Sequence, residues 1–287
     1  MTHWEIAILI CRILVYASIA GAIGGGISCL ITRPEFSLYA ALRRYCGVSC
    51  MMGIIASSAL LLLRNGEMLD DGWSGMFDTD MLAITWQSAL GNALRPRWLG
   101  FALILLCLML LKRLPKALCC YVIIFASLML CGAFTQAGHA IGQPNWHSIA
   151  LVIHSLMAGL WLGSFYPVWL VCRYLPYQQS HTILTVYGQW ARVPMLLLLS
   201  AGLLMSYQLT HWQGLSDTLY GNTLIAKITL VSLMLFIAAW HKFYATKQIL
   251  IQRHCRVWLR SFYLEVILAI SILAITGALT SMMGPSH

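Results

Sequence analysis

Eight long apolar runs alternate with short polar segments along the 287 residues of the chain. The runs lie near residues 6–31, 45–63, 95–111, 117–138, 147–172, 182–209, 222–245 and 258–281. About 20 apolar residues in a helix cross the hydrocarbon core of a bilayer, and in lipid the backbone polar groups must pair within the helix. The pattern predicts an all-α polytopic membrane helix bundle with about eight transmembrane helices, forming a single integral membrane domain over residues 1–287.

The third run is the weakest of the eight. Its clean apolar stretch is short, and Arg95 and Arg97 must snorkel towards polar surroundings if it is to cross the membrane. An alternative with seven spans therefore stays open. The first run follows a segment without Lys or Arg and contains Arg12, so we expect it to be a membrane helix rather than a cleaved signal peptide.

Charged residues alternate between the connections in a way that predicts sidedness. The odd-numbered connections are basic, with Arg33, Arg43, Arg44, Lys112, Arg113, Lys116, Arg173, Lys242, Lys247, Arg253, Arg256 and Arg260. The others carry the acidic residues Glu67, Asp70, Asp71, Asp78, Asp80 and Asp217. Because basic loops stay in the cytoplasm, both termini are predicted to lie on the outer, non-cytoplasmic side of the membrane.

The long second connection, residues 64–97, contains a further helix signal. Asp78 and the following Thr79 and Asp80 can cap a short helix from Met81 to Leu94, with Pro96 after its end. Such a helix is expected to lie along the outer membrane interface.

Composition excludes several classes of function. The formal net charge of +9 comes largely from the basic loops, and no nucleic-acid-binding module occurs, so the expected contacts are with membrane lipid and not with nucleic acid. The chain has neither a phosphate-binding loop of the G-x-x-x-x-G-K-[ST] type nor a Gly-x-Ser-x-Gly elbow. We therefore do not expect an enzyme.

Three histidines lie within sixteen residues where the fourth predicted span ends and the fifth begins. His139 closes one span, and His147 and His154 are seven residues apart, which places them on one helix face about 10 Å apart. The short turn between the spans brings all three together at the outer side. Met282 and Met283 end the last span on that side, and sulfur with imidazole suits copper. These five residues are the predicted metal ligands.

Other interpretations of the same residues remain open. Two histidines on neighbouring helices can bind a haem iron from both sides, so a haem b electron-transfer protein with His139 and His154 as axial ligands is the main alternative. A structural subunit without a ligand is a third, in which the histidines only form hydrogen bonds between helices.

Four charged residues fall inside the predicted spans: Arg12, Arg192, Lys227 and Glu265. A charge in the bilayer interior is costly and therefore faces the bundle or water. The four either line a transport path or form structural ion pairs. Arg192 and Glu265 lie at similar depths, which makes them candidates for such a pair.

Several of these residues resemble the copper resistance protein D family of bacterial inner membranes. The similarity is strongest over residues 132–170 and 224–241. The residues that carry it are Gly138, His139, Ala140, His154, Ala158, Trp161, Leu162, Gly163 and Pro167, together with Arg12, Ala226, Lys227 and Glu265. The chain departs from the family pattern at Leu151 and at Val15 and Tyr16, where histidines are common, and at His241, where asparagine is common.

The resemblance implies copper homeostasis by a multi-pass protein of the bacterial inner membrane, and both termini would then be periplasmic. Family members are described as moving copper across the membrane, usually with a small periplasmic copper-binding protein as partner. His139 and His154 would be the first copper ligands, with His147 beside them.

Overall fold

The structure is a computed structural model that describes residues 2–32, 36–136, 144–210 and 216–281, without the side chains of residues 209, 278, 280 and 281. All regular structure in these ranges is helical. The α-helices are α1 (His3–Ile31), α2 (Tyr39–Leu69), α3 (Thr79–Gln87), α4 (Ala89–Leu110), α5 (Lys116–Gly132), α6 (Asn145–Gly163), α7 (Phe165–Tyr174), α8 (Tyr177–Trp190), α9 (Arg192–Thr210), α10 (Leu219–Trp240), α11 (Thr246–Gln252) and α12 (Arg256–Ser281).

The prediction of eight membrane spans is confirmed for the described residues. The helical segments long and apolar enough to cross a bilayer are His3–Ile31, Tyr39–Leu69, Ala89–Leu110, Lys116–Gln136, Asn145–Tyr174, Tyr177–Gln208, Leu219–Gln252 and Arg256–Gly277. The third run is among them, so the seven-span alternative is wrong. The chain divides into two compact units, which we call unit one (Met1–Gly163) and unit two (Ser164–His287).

The connection before the third span contains two helix starts instead of one. Asp78 caps α3 by accepting a hydrogen bond from the Met81 amide at 2.8 Å, as predicted. The helix ends at Gln87, because Ser88 begins α4 by accepting a hydrogen bond from the Leu90 amide at 3.2 Å. The predicted helix over Met81–Leu94 is therefore split, and Pro96 lies inside α4 rather than after a helix end.

Unit one is organised around α1, which packs on α2 and α6. Gly24 of α1 and Gly163 of α6 lie so close that a Cβ on either would overlap the other helix's backbone. The Tyr45 hydroxyl of α2 donates a hydrogen bond to the Gly163 carbonyl at 3.2 Å. Small residues thus let these helices approach at backbone distance, as in other membrane bundles.

Unit two has a core at the ends of its helices. Val168 and Cys172 of α7 and Leu184 of α8 pack there with Ile249 of α11. From α12, Trp258 and Phe262 complete this core, with stacked rings whose centroids are 5.2 Å apart. Between α10 and α11 the helix widens into a π-helical turn, His241–Ala245. This turn lies against α12, and its first residue, His241, contacts Glu265 of that helix.

Candidate functional site

His147 lies in the first turn of α6 and is buried in unit one, with 2% of its surface exposed. Its amide donates a hydrogen bond to the Pro144 carbonyl at 2.9 Å, and its ring contacts Trp146 edge-on. The Nδ1 atom is buried without a hydrogen-bond partner in the described part of the chain. A buried polar atom without a partner is destabilising, so this nitrogen is suited to an additional ligand.

The structure describes only part of the predicted histidine cluster. His154 is half-buried on α6, two helical turns after His147, and is engaged in an interaction within the protein. His139, Met282 and Met283 lie outside the described residues. Within the described ranges, no group of three or more His, Cys, Asp or Glu side chains is placed to bind a metal ion. The five-ligand copper site stays a prediction.

Two arginines of unit one are enclosed by aromatic side chains. Arg12 of α1 is half-buried and forms a hydrogen bond with Tyr16 one turn later. Arg97 of α4 is 6% exposed, with its guanidinium 5.3 Å from the centre of the Phe134 ring. The expectation that Arg97 snorkels is wrong, because Phe134 covers it within the protein. Arg95 does remain exposed, over the ring of Trp86 at 5.0 Å.

The expected ion pair between Arg192 and Glu265 is also wrong. Arg192 is exposed at the start of α9, and its Nε donates a hydrogen bond to the Gln189 carbonyl at 3.1 Å. Glu265 is buried in α12 and pairs instead with His241. Lys227 is half-buried in α10.

The pair of Glu265 and His241 is the most complete buried polar site in the described part of unit two. The Glu265 Oε2 atom lies 3.1 Å from His241 Nδ1, and the two side chains are 6% and 8% exposed. The other ring nitrogen, Nε2, is 2.7 Å from the Ser261 hydroxyl. The indole of Trp258 stacks on the imidazole, with ring centroids 4.6 Å apart. Both ring nitrogens of His241 therefore have a polar partner.

The local fold explains how these side chains meet. Trp258, Ser261 and Glu265 are spaced at i, i+3 and i+7 on α12, which places them on one helix face. His241 is the first residue of the π-helical turn. Its backbone carbonyl accepts a hydrogen bond from the Thr246 hydroxyl at 2.8 Å. Such π-turns occur mostly as single turns and are frequent at functional sites. Sequence reasoning missed this site, although the spacing on α12 was a visible signal.

Comparison with protein families identifies the chain. A model for the copper resistance protein D-like N-terminal domain matches residues 1–149, and the copper resistance protein D model matches residues 181–279. Of the stretches with the strongest expected resemblance, 224–241 lies inside the second match and 132–170 overlaps the first only to residue 149. None of the curated proteins and none of the solved structures matches the chain. The protein belongs to the copper resistance protein D family and is a multi-pass protein of the inner membrane.

Proposed function

We propose that this copper resistance protein moves copper across the inner membrane and receives it at a histidine site on the periplasmic side. The observation that supports the site is the buried His147 Nδ1 atom, which is without a hydrogen-bond partner in the described structure. Imidazole nitrogen is a good copper ligand, and copper bound there would satisfy this atom. His154 follows on the same helix face, and His139 precedes the helix in the sequence.

The sidedness of the site belongs to the same proposal. The basic connections favour a periplasmic position for both termini, and in that orientation α6 would begin at the periplasmic surface with His147 in its first turn. A small periplasmic copper-binding protein would deliver copper to this end or accept it there. The protein acts as a transporter and not as an enzyme.

Copper binding to purified protein tests the site. Metal-free protein is titrated with Cu(I) in competition with a chromophoric chelator, and then with Cu(II) without reductant. We expect His147→Ala to weaken binding at least about tenfold, which corresponds to about 1.4 kcal/mol. His254→Ala is the matched control, because His254 is an exposed histidine in the basic connection before α12. Equal affinity in the wild type and His147→Ala would remove His147 from the site.

Copper transport is tested in cells. The haem alternative is tested with the purified protein that is used for the copper titration. A deletion strain should differ from the wild type in copper accumulation and copper tolerance, and His147→Ala and His154→Ala should reproduce the difference at equal expression. Unchanged accumulation and tolerance in all three strains would contradict copper transport. A Soret band in the optical spectrum, lost in His154→Ala, would favour haem b over copper.

A further inference from the structure

We propose that the His241–Glu265 pair is a proton-binding site within the membrane spans of unit two, and that its proton exchanges as copper moves. The exchange with copper rests on the proposed transport of copper, whereas proton binding by the pair concerns the protein without any metal. Both residues lie in helices that are long and apolar enough to span a membrane. An ionisable group in such a position is expensive unless it is paired, and such groups commonly form proton relays.

The groups around His241 fit a doubly protonated ring. The Ser261 hydroxyl lies 3.1 and 3.3 Å from the carbonyls of Trp258 and Val257, to which it can donate. Its oxygen can then accept a hydrogen bond from His241 Nε2, 2.7 Å away, whereas beside a ring without hydrogen on Nε2 the hydroxyl would donate instead. On the other side of the ring, the Glu265 carboxylate, which has no hydrogen to donate, lies 3.1 Å from Nδ1. Glu265 therefore favours hydrogen on Nδ1, and Ser261 accommodates hydrogen on Nε2.

The aromatic contact favours the same form. Trp258 presents the face of its indole to the imidazole, with an interplanar angle of 24°. The negative face of an indole attracts a cation that lies over it, and the attraction is larger where water is excluded. Trp258 is 4% exposed, so the contact is buried. A carboxylate, a hydroxyl that can accept and one aromatic face thus surround the imidazole, and this setting favours a positive charge on it.

Other charged groups near the pair do not replace its partners. Of the described Lys and Arg residues, none lies within ion-pair distance of Glu265. The Glu265 carboxylate is near enough to act electrostatically on the Tyr187 hydroxyl of α8, whose hydrogen-bond partner is Ser164, at 2.6 Å. Lys242 follows His241 but lies over the Phe243 ring, and Lys247, Arg256 and Arg260 are exposed. The described polar and aromatic groups that contact the His241 ring are therefore Glu265, Ser261 and Trp258.

The charge balance links this site to movement of a cation. Imidazolium and carboxylate together have no net charge, which suits a medium of low dielectric constant. Release of one proton to water leaves neutral imidazole beside carboxylate, with a net charge of −1. That state is costly in the protein interior unless a cation is near. A copper ion that approaches unit two therefore favours loss of the proton, and departure of the ion favours its return.

Solid-state NMR on copper-free protein in lipid decides whether the site binds a proton. The histidines are labelled with 15N, and the His241 signal is assigned by its absence in His241→Asn. At neutral pH we expect the doubly protonated signal in the wild type and its loss on raising the pH. In Glu265→Gln we expect that signal to be lost already at neutral pH, because the carboxylate no longer stabilises the imidazolium. Glu67→Gln is the control, since Glu67 pairs with Arg64 in unit one.

Two results of this measurement would overturn the proposal. The first is a neutral His241 ring at neutral pH in the wild type. The second is a His241 signal that is the same in Glu265→Gln as in the wild type.

Proteoliposomes test the exchange with copper. Copper is added outside vesicles that contain a pH indicator and a copper indicator. The wild type should move protons opposite to copper, and His241→Asn and Glu265→Gln should reduce the proton movement at least tenfold. Copper movement without proton movement in the wild type would overturn the coupling. If the wild type moves no copper at all, the proposed transport fails, while the NMR measurement still decides whether the pair binds a proton.

Discussion

The two units of the chain differ in how their helices are packed. In the most apolar stretch of each of the first four spans, 39–44% of the residues are buried inside the protein. In the three spans that lie wholly in unit two, Tyr177–Gln208, Leu219–Gln252 and Arg256–Gly277, the corresponding fraction is 11–17%. A larger share of the spans of unit one is therefore packed inside its unit than of the spans of unit two. Loosely packed segments open at lower free energy than tightly packed ones.

The buried polar groups of the two units differ as well. Unit one buries Arg97 beneath an aromatic ring, with its Nε atom without a partner among the described residues. Unit two buries an acid and a base in direct contact, with a serine and a tryptophan completing the shell of the base. Unit one therefore has the larger buried fraction in its spans, whereas unit two combines a hydrophobic core with this buried polar contact. Each variant below would break or sharpen this contrast.

The largest effect is expected where two helices of unit one meet at backbone distance. In Gly163→Leu the new side chain must displace α1, because a Cβ there would already overlap the Ala20 carbonyl. We expect the free energy of unfolding to fall by more than about 3 kcal/mol, or the protein not to assemble. Unfolding in mixed micelles with increasing SDS measures the change.

Gly47→Leu is the matched control for this substitution. Gly47 lies in α2, and a Cβ on it would have no atom within 4 Å in the described structure. Since leucine favours a helix over glycine, this variant should be neutral or stabilised by up to about 1 kcal/mol. Equal losses in the two variants would show that the close contact of α1 and α6 does not stabilise unit one.

The next largest effect is expected for a buried phenylalanine of unit one, compared with an exposed phenylalanine of unit two. Phe101 of α4 is fully buried with its ring against Gly53, whereas Phe236 of α10 is 72% exposed. We expect Phe101→Ala to lower the free energy of unfolding by about 3–5 kcal/mol, because it leaves a cavity. Phe236→Ala should change it by no more than about 0.5 kcal/mol. Similar costs, measured by the same unfolding method, would contradict the difference in packing.

Most of the fold could be predicted from the sequence, for a simple physical reason. A helix that crosses lipid must be apolar throughout, so each span is visible as a run of residues and needs no knowledge of its neighbours. The places where prediction failed depend on tertiary contacts. Pro96 lies inside α4 because Ser88 starts that helix two turns earlier, and Phe134 covers Arg97 from a different segment.

The candidate sites were less predictable, because the depth of a residue in the membrane does not determine which way its side chain points. Arg192 and Glu265 were expected to meet because their depths are similar, but Arg192 is exposed at the start of α9. Glu265 instead meets His241, 24 residues earlier, through the packing of α12 against the π-helical turn. The burial of His147 likewise depends on neighbouring helices and was not visible in the spacing of the histidines.

A double-mutant cycle measures how much the polar contact of unit two contributes. The free energy of unfolding is determined for His241→Asn, Glu265→Gln and the double variant at neutral pH. We expect a coupling energy of about 2 kcal/mol, because each single variant leaves its partner buried without its ion pair. Additive losses would mean that the two side chains are merely adjacent, and unit two would then lack the specific contact that distinguishes it from unit one.

The smallest effect on the free energy of unfolding is expected for Ser261, which contacts His241, compared with Ser271, a serine of the same helix outside this site. In Ser261→Ala the His241 Nε2 atom loses its hydrogen-bond partner, whereas Ser271 in the same helix donates to the Ile267 carbonyl. We expect Ser261→Ala to lower the free energy of unfolding by about 1 kcal/mol and Ser271→Ala to leave it unchanged within about 0.5 kcal/mol. In the double variant with His241→Asn the cost of Ser261→Ala should disappear, since no imidazolium then needs the hydroxyl. If the cost persists there, Ser261 stabilises α12 through its own backbone contacts, and the order of unit two depends on His241 and Glu265 without it.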